Sequence, residues 1–195
     1  MSRGTILITG TSRGIGASLL DICLDQGWNV IACQRKVKGE IGTLRSNCDS
    51  SCHKIELDVS REDLVQKAFR SIAQSFSRID VLVNNAGYFL PGQLQDEPDG
   101  QLEAQLNANL LSAYHLTRDL LPTMIKAKQG HIFNICSIAS LQAYPHGGSY
   151  SISKYALLGF STNLRLELKD KGIKVTAVCP GATYTNSWKG SGVAE

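Results

Sequence analysis

Two hydrophobic rhythms take turns along this chain. Short apolar runs rich in β-branched residues come at Gly4-Thr5-Ile6-Leu7-Ile8-Thr9, Trp28-Asn29-Val30-Ile31-Ala32-Cys33-Gln34 and Lys54-Ile55-Glu56-Leu57-Asp58-Val59. Three more follow at Ile79-Asp80-Val81-Leu82-Val83, His131-Ile132-Phe133-Asn134-Ile135-Cys136 and Ile173-Lys174-Val175-Thr176-Ala177-Val178-Cys179. Runs of this length, bounded by turn residues, predict strands, the first of them fully buried. Between them the apolar period lengthens to that of a helix. One stripe is Ile15, Leu19, Leu20, Cys23 and Leu24, closed by Gly27; another is Leu64, Val65, Ala68, Phe69, Ile72, Ala73 and Phe76. A third is Leu102, Leu106, Leu110, Ala113, Tyr114, Thr117, Leu120 and Leu121, interrupted by Asn109; a fourth runs through Leu157, Leu158, Phe160, Leu164, Leu166 and Leu168 to Lys171-Gly172. Ser60 with Asp63 is expected to form a capping box, and Pro122 to bend its helix. Residues 37–52 are weakly patterned and read as a surface connection with room for a short helix; Tyr88 to Gly100 reads as loop.

Strands that alternate with helices predict a parallel sheet covered on both faces, joined by right-handed crossovers. Ligands bind such sheets beyond the carboxyl ends of the strands. The polar clusters fall at those ends: the glycine-rich loop after the first strand, Gln34-Arg35, Asp58, Asn84-Asn85-Ala86-Gly87, Ser137 and Pro180-Gly181. Chance would scatter them over both ends of the sheet.

The loop Thr9-Gly10-Thr11-Ser12-Arg13-Gly14-Ile15-Gly16 links a strand to a helix start. Glycines let a backbone turn tightly and approach a ligand, and the N–H groups opening a helix favour a phosphate. Its spacing, Gly-x-x-x-Gly-x-Gly, differs from the standard dinucleotide fingerprint, and a simple glycine-cornered turn is the plainer alternative. The second strand ends in Gln34, with Arg35, Lys36 and Lys38 after it, where an acid would hold an unmodified ribose. A guanidinium there, with Arg13 in the loop, favours a 2′-phosphate and so NADP over NAD; solvated turn residues are the alternative. Tyr150 and Lys154, four apart on the last helix, share a face. An ammonium beside a phenol is expected to lower its pKa and fit it for proton transfer. Alone, that spacing is common on solvated faces.

Length and composition narrow the picture. A chain of 195 residues with 43% apolar and 19% charged residues suits one globular domain with a real core. The net charge of +3 comes without a basic run, which argues against nucleic acid. No apolar run reaches the ~18 residues of a membrane span, and the start lacks a signal-peptide core, so the expectation is a cytoplasmic protein. Among six cysteines, Cys23, Cys33, Cys136 and Cys179 lie in buried patterns, and Cys48, Cys52 and His53 lack a second ligand pair, so no metal site is expected.

In this order and at these separations, the motifs resemble the classical short-chain dehydrogenase/reductase family from the first strand to the last residue. The match rests on the glycine loop, Asp58, Asn84 to Gly87, Asn109, Ser137, Tyr150 with Lys154, and Pro180-Gly181 with Thr185. The resemblance implies a Rossmann-type doubly wound sheet of six parallel strands in the order 3-2-1-4-5-6. It implies that Gly10, Thr11, Ser12, Arg13, Gly14, Ile15 and Gly16 hold the cofactor's pyrophosphate and ribose, and that Asp58 and Val59 cradle its adenine. It places Asn85, Ala86 and Gly87 along the cofactor's middle, and Pro180, Gly181 and Thr185 at its nicotinamide. Tyr150 would be the general acid/base and Lys154 its tuner, bonded to the ribose. Ser137 would bond the substrate oxygen, and Asn109 would anchor a relay water.

Two departures stand out. Gln34 replaces the acid of NAD-preferring members, leaving NAD(H) possible beside NADP(H). The substrate-covering helices and seventh strand that members carry past Thr185 are missing, so the chain is expected to be a fragment or a shortened member. A reductase of small carbonyl compounds, or a dehydrogenase of secondary alcohols, is the favoured activity; the alternative is a non-catalytic NADP(H)-binding regulator. Relatives without catalysis would be expected to lose Tyr150 or Lys154, and both are present. The resemblance implies a homodimer or homotetramer, for which Ala156, Leu157 and Phe160 would suit the interface. His146 is expected in a substrate-facing loop, His115 and His131 in structural roles, and Tyr155 in packing. Trp188 fits either a lid or an exposed end. The substrate pocket falls to Tyr88–Gly100, Leu141–Gly147 and the chain's tail, whose composition names no substrate.

Overall fold

The computed structural model describes residues 3–35, 43–45 and 51–183, without the side chains of a few residues in its helices and strands. The expected alternation is present: β1 (Thr5–Thr9), α1 (Gly14–Asp25), β2 (Asn29–Gln34), β3 (Thr43–Arg45), β4 (Ser51–Glu56), α2 (Glu62–Ser75) and β5 (Val81–Asn84). Then come α3 (Gln101–Leu106), a π-helical turn (Asn107–Leu111), α4 (Ser112–Ala127), β6 (Gly130–Ile135), α5 (Gly148–Glu167) and β7 (Ile173–Val178). The sheet order is β3-β4-β2-β1-β5-β6-β7. Its six parallel strands follow the expected 3-2-1-4-5-6 order.

Strand alternation divides the core. Leu7, Ile31, Leu82, Ile132 and Val175 face α2, α4 and α5 and pack with Val65, Ile72, Leu116, Leu120 and Leu164. Ile6, Ile8, Val30, Ala32 and Val83 face α1 through Leu20. Helices therefore lie on both sheet faces, as the burial of both sides of the strands requires. A buried polar network locks the α4–α5 layer to the sheet. Asn84 Nδ2 donates to Asn134 Oδ1 at 2.8 Å and to Thr117 Oγ1 at 3.1 Å. Asn134 Nδ2 donates to Ser161 Oγ at 2.8 Å.

Three expectations need correction. The connection after β2 includes a strand: Thr43–Arg45 pairs antiparallel with the start of β4, and the rest of residues 36–50, with Lys36, Lys38 and Cys48, lies outside the described residues. The capping box does not form. Ser60 Oγ donates instead to Asp58 Oδ1 at 2.7 Å, and Asp63 pairs with Arg61 at 2.8 Å. Pro122 lies within α4, and upstream of it a π turn at Asn107–Leu111 inserts an extra residue. Leu157 is 1% exposed and belongs to the chain's own core, so it offers no interface. Side chains of Phe69 and Ala73 are among those not described.

Cys33, Cys52 and Cys136 are buried, and no grouping of metal-binding side chains occurs among the described residues. His131 is half-buried, bonded to Thr176 and stacked on Phe133. No described helix is long and apolar enough to cross a membrane.

Candidate active site

The carboxyl ends of β1, β2, β4, β5, β6 and β7 open into one cleft of about 650 Å³. Its lining includes Gly10, Ser12, Arg13, Ile15, Arg35, Asp58, Val59, Asn85, Ala86, Gly87, Ser137, Tyr150, Lys154, Pro180 and Gly181. These are the positions expected from sequence, drawn from across the chain. Thr11, Gly14, Gly16 and Asn109 are not part of the lining. Thr185 and Trp188 lie outside the described residues. His146 is exposed and outside the lining, and its carbonyl accepts the Gly92 N–H. Tyr155 is likewise exposed rather than packed.

The glycine loop and the Asn85 turn are stitched together. Thr9 Oγ1 accepts the N–H groups of Asn85 and Ala86 at 3.0 and 2.9 Å, while Asn85 Nδ2 donates to the carbonyls of Thr9 and Gly10 at 2.8 and 3.1 Å. Gly10 has φ of 72°, and a Cβ there would stand 2.9 Å from Ala86 Cα. A Cβ on Gly16 would collide with the Gly10 carbonyl and the Asn85 amide. Thr11 turns inward, its hydroxyl toward the Cys33 carbonyl. Among the described residues no side chain caps the start of α1, and no acid sits in its first turn, so its leading N–H groups suit an anion. This loop therefore fits a diphosphate.

At the other end of the cleft, Ser137 caps a short 3-10 turn, its Oγ accepting the Ala139 N–H at 3.1 Å. Burial pushes the Tyr150 phenol above its ordinary pKa, and a hydrogen bond with Ser137 opposes that rise. The direction corrects the sequence expectation of a lowered pKa. Desolvation of the phenolate outweighs any help from Lys154, whose Nζ is 5.9 Å from the ring centre. Lys154 is itself buried, and its pKa falls to about 8 for the same reason. Its Nζ donates to the Ile135 carbonyl at 2.8 Å.

Asn109, on the π turn, is consumed by protein groups. Its Oδ1 accepts the Tyr88 N–H at 2.9 Å, and its Nδ2 donates to Ser153 Oγ at 2.9 Å. Ser153 in turn donates to the Tyr150 carbonyl at 2.8 Å. Asn109 thus fixes the helical turn that carries Tyr150. Three residues of this region were not singled out from sequence, although Phe89 and Glu97 lie in the Tyr88–Gly100 loop expected to border the substrate pocket. Phe89 meets the Tyr150 ring edge to face, Gln105 is fully buried beside Asn109, and Glu97 accepts the Ser149 N–H at the start of α5. The one sequence signal for Gln105 is a polar residue one turn before Asn109 in an apolar stripe.

The strand order and the anion-ready loop at its switch point define a dinucleotide-binding α/β protein. A family model described as short chain dehydrogenase matches residues 4–194. Over 190 residues the chain is 34% identical to a 3-ketodihydrosphingosine reductase of Bacteroides thetaiotaomicron, covering 97% of this chain and 68% of that protein. ElxO with NADP bound superposes with a TM-score of 0.84 at 29% identity, over 97% of this chain and 77% of that one. A 4-hydroxyisoleucine dehydrogenase complexed with NADH and succinate superposes at 0.80 and 25% identity, over 90% and 78%. The chain belongs to the short-chain dehydrogenase/reductase family. It is an oxidoreductase of the kind that acts on CH–OH and C=O groups with a nicotinamide cofactor.

Proposed function

We propose that this chain, as one domain, interconverts a carbonyl compound and its secondary alcohol with NADP(H), using Tyr150 as general acid/base. The observation that carries the reading is the convergence of Tyr150, Ser137 and the buried Lys154 at one end of a cleft whose other end is the open glycine loop. Bound there, the cofactor supplies or accepts the hydride. Gly10, Ser12, Arg13 and Ile15 would hold its pyrophosphate, with Thr11, Gly14 and Gly16 shaping the loop. Asp58 and Val59 would hold the adenine, Asn85 to Gly87 the middle, and Pro180, Gly181 and Thr185 the nicotinamide end.

The protein's part is to manage charge and one proton. A raised pKa keeps the Tyr150 phenol protonated at neutral pH, as a donor to a carbonyl oxygen must be. Ser137 offers a second hydrogen bond to that oxygen, where negative charge builds during reduction. Once Tyr150 has given up its proton, the Lys154 ammonium offsets the phenolate charge. Asn109 acts by holding Tyr88 and Ser153, and a water relayed from Lys154 would complete proton supply.

NADP is favoured over NAD because Arg13 and Arg35 line the cleft and the β2 end carries Gln34 in place of an acid. The free cysteines fit a reducing compartment, hence the cytoplasm. Exposed Tyr114, Ile152 and Tyr155 on α4 and α5 suit a homodimer or homotetramer. The test is NADPH oxidation against a panel of aldehydes, ketones and quinones, with Tyr150→Phe alongside. The reading expects a loss of at least about a hundredfold in kcat; equal rates for the two proteins would refute it.

A further inference from the structure

The loop between β5 and α3 runs along the cleft beside Tyr150. Two buried amides, one helical turn apart beneath it, reach up to its backbone. Gln105, 0% exposed, donates Nε2 to the Leu90 carbonyl at 2.9 Å. Asn109, 1% exposed, accepts the Tyr88 N–H at 2.9 Å and donates to the Tyr88 carbonyl at 3.2 Å. The two amides bond each other at 3.1 Å. They therefore hold the chain on both sides of Phe89. Its ring stands against Tyr150 with centroids 4.8 Å apart and planes at 80°, an edge-to-face pair. Farther along, the loop is tied again: Gly92 N–H donates to the His146 carbonyl at 3.0 Å, and Glu97 accepts the Ser149 N–H at 2.7 Å. The wall beside Tyr150 is set by the protein itself, before any substrate arrives.

The surroundings of that wall are mostly apolar, with the Asn107 amide and the hydroxyls of Ser137, Tyr88 and Tyr144 among them. Tyr88, Ala104, Ala108, Ile138, Ala139 and Tyr144 line the cleft with Phe89. Among the described lining residues the charged side chains are Arg13, Arg35, Asp58 and Lys154. The first three stand at the ends of β1, β2 and β4, and Lys154 is buried and bonded to Ile135. A charged group on the substrate near Phe89 would lose water with no charged side chain beside it, among the described residues, except the buried Lys154.

We propose that Phe89 is the specificity-determining residue of this oxidoreductase, selecting uncharged carbonyl compounds that carry a flat apolar group, and that Gln105 is the positioning residue that holds it. The position of the carbonyl rests on Tyr150 as the acid/base group. Three probes separate the features: acetophenone, 2-butanone without the ring, and benzoylformate with the ring and a carboxylate. Their binding to the chain saturated with NADP is measured by calorimetry, and their NADPH-driven reduction by absorbance, for wild type, Phe89→Ala and Gln105→Met. Acetophenone is expected to be preferred over both others by about tenfold in Kd and in kcat/KM. Phe89→Ala should bring the ratio to 2-butanone near one, with KM for acetophenone rising more than KM for 2-butanone. Gln105→Met should lower the ratio part of the way with the same KM signature.

Benzoylformate bound as tightly as acetophenone, no binding of acetophenone, or a preference that survives Phe89→Ala would each overturn the proposal. Binding is read without turnover. A Phe89-dependent preference in a protein whose rate is indifferent to Tyr150→Phe would refute the acid/base reading and leave this one standing. Turnover without the preference would do the reverse. Phe89 is only half-buried, so Phe89→Ala decides the matter even if Gln105→Met fails to fold.

Discussion

Replacing Lys154 with methionine should stabilise the cofactor-free chain at neutral pH while removing the ammonium from the site. Lys154 is 6% exposed, and burial brings its pKa from 10.5 to about 8. A folded-state pKa below the unfolded one means the unfolded chain holds this proton more tightly. Below pH 8 both states are protonated and the cost of the buried charge is fully present. Between pH 8 and 10.5 the unfolded state binds more protons, so wild-type stability gains with pH from this group. The gap between those values corresponds to roughly 3 kcal/mol. Against it, the Ile135 carbonyl would lose its donor, at about 1–3 kcal/mol. Lys154→Met should therefore be about 0–2 kcal/mol more stable than wild type near pH 7. That advantage should swing by roughly 3 kcal/mol toward wild type as pH approaches 10.5. Urea unfolding of both proteins across this range, with unchanged m-values, measures the swing. Parallel profiles, differing by less than about 1 kcal/mol in slope across the window, would refute a buried ammonium held at this site.

Arg35→Ala should weaken NADPH binding by roughly ten- to a hundredfold, the worth of charge-assisted hydrogen bonds, and leave NADH within about twofold. Fluorescence titration with both cofactors checks this, and equal losses would remove the 2′-phosphate argument. Asn134→Leu leaves the Asn84 amide without its 2.8 Å acceptor and Ser161 without its donor, both buried. It should lower unfolding free energy by about 2–4 kcal/mol; a loss under about 1 kcal/mol by chemical denaturation would mean that the network is dispensable.

Much of the fold was legible because its signals are local. The apolar runs of the six parallel strands lie within single segments, and polar residues at their carboxyl ends mark the side of the sheet where ligands collect. β3 escaped notice because Thr43-Leu44-Arg45 is three residues long, and it becomes a strand only by pairing with β4. The capping box failed because Ser60 had a nearer acceptor in Asp58 and Asp63 a nearer cation in Arg61, a competition that spacing alone does not rank.

The site divides in the same way. Residue types and their order were enough to nominate Tyr150, Lys154, Ser137 and the glycine loop, since each chemistry requires particular side chains at short separations. Packing decided the electrostatics. The i, i+4 spacing of Tyr150 and Lys154 puts a cation near a phenol, but the burial that raises one pKa and lowers the other comes from β6, β7 and the loop after β5. Packing alone also revealed Gln105, and it singled out Phe89 within the Tyr88–Gly100 loop already expected to border the substrate pocket. The carbonyl that Gln105 serves lies fifteen positions away, and Phe89 meets Tyr150 only because β5 and α5 end at the same cleft. Periodicity along a chain reports which face a residue takes. Which atoms meet across that face, and how much water is left between them, depends on segments far apart in sequence.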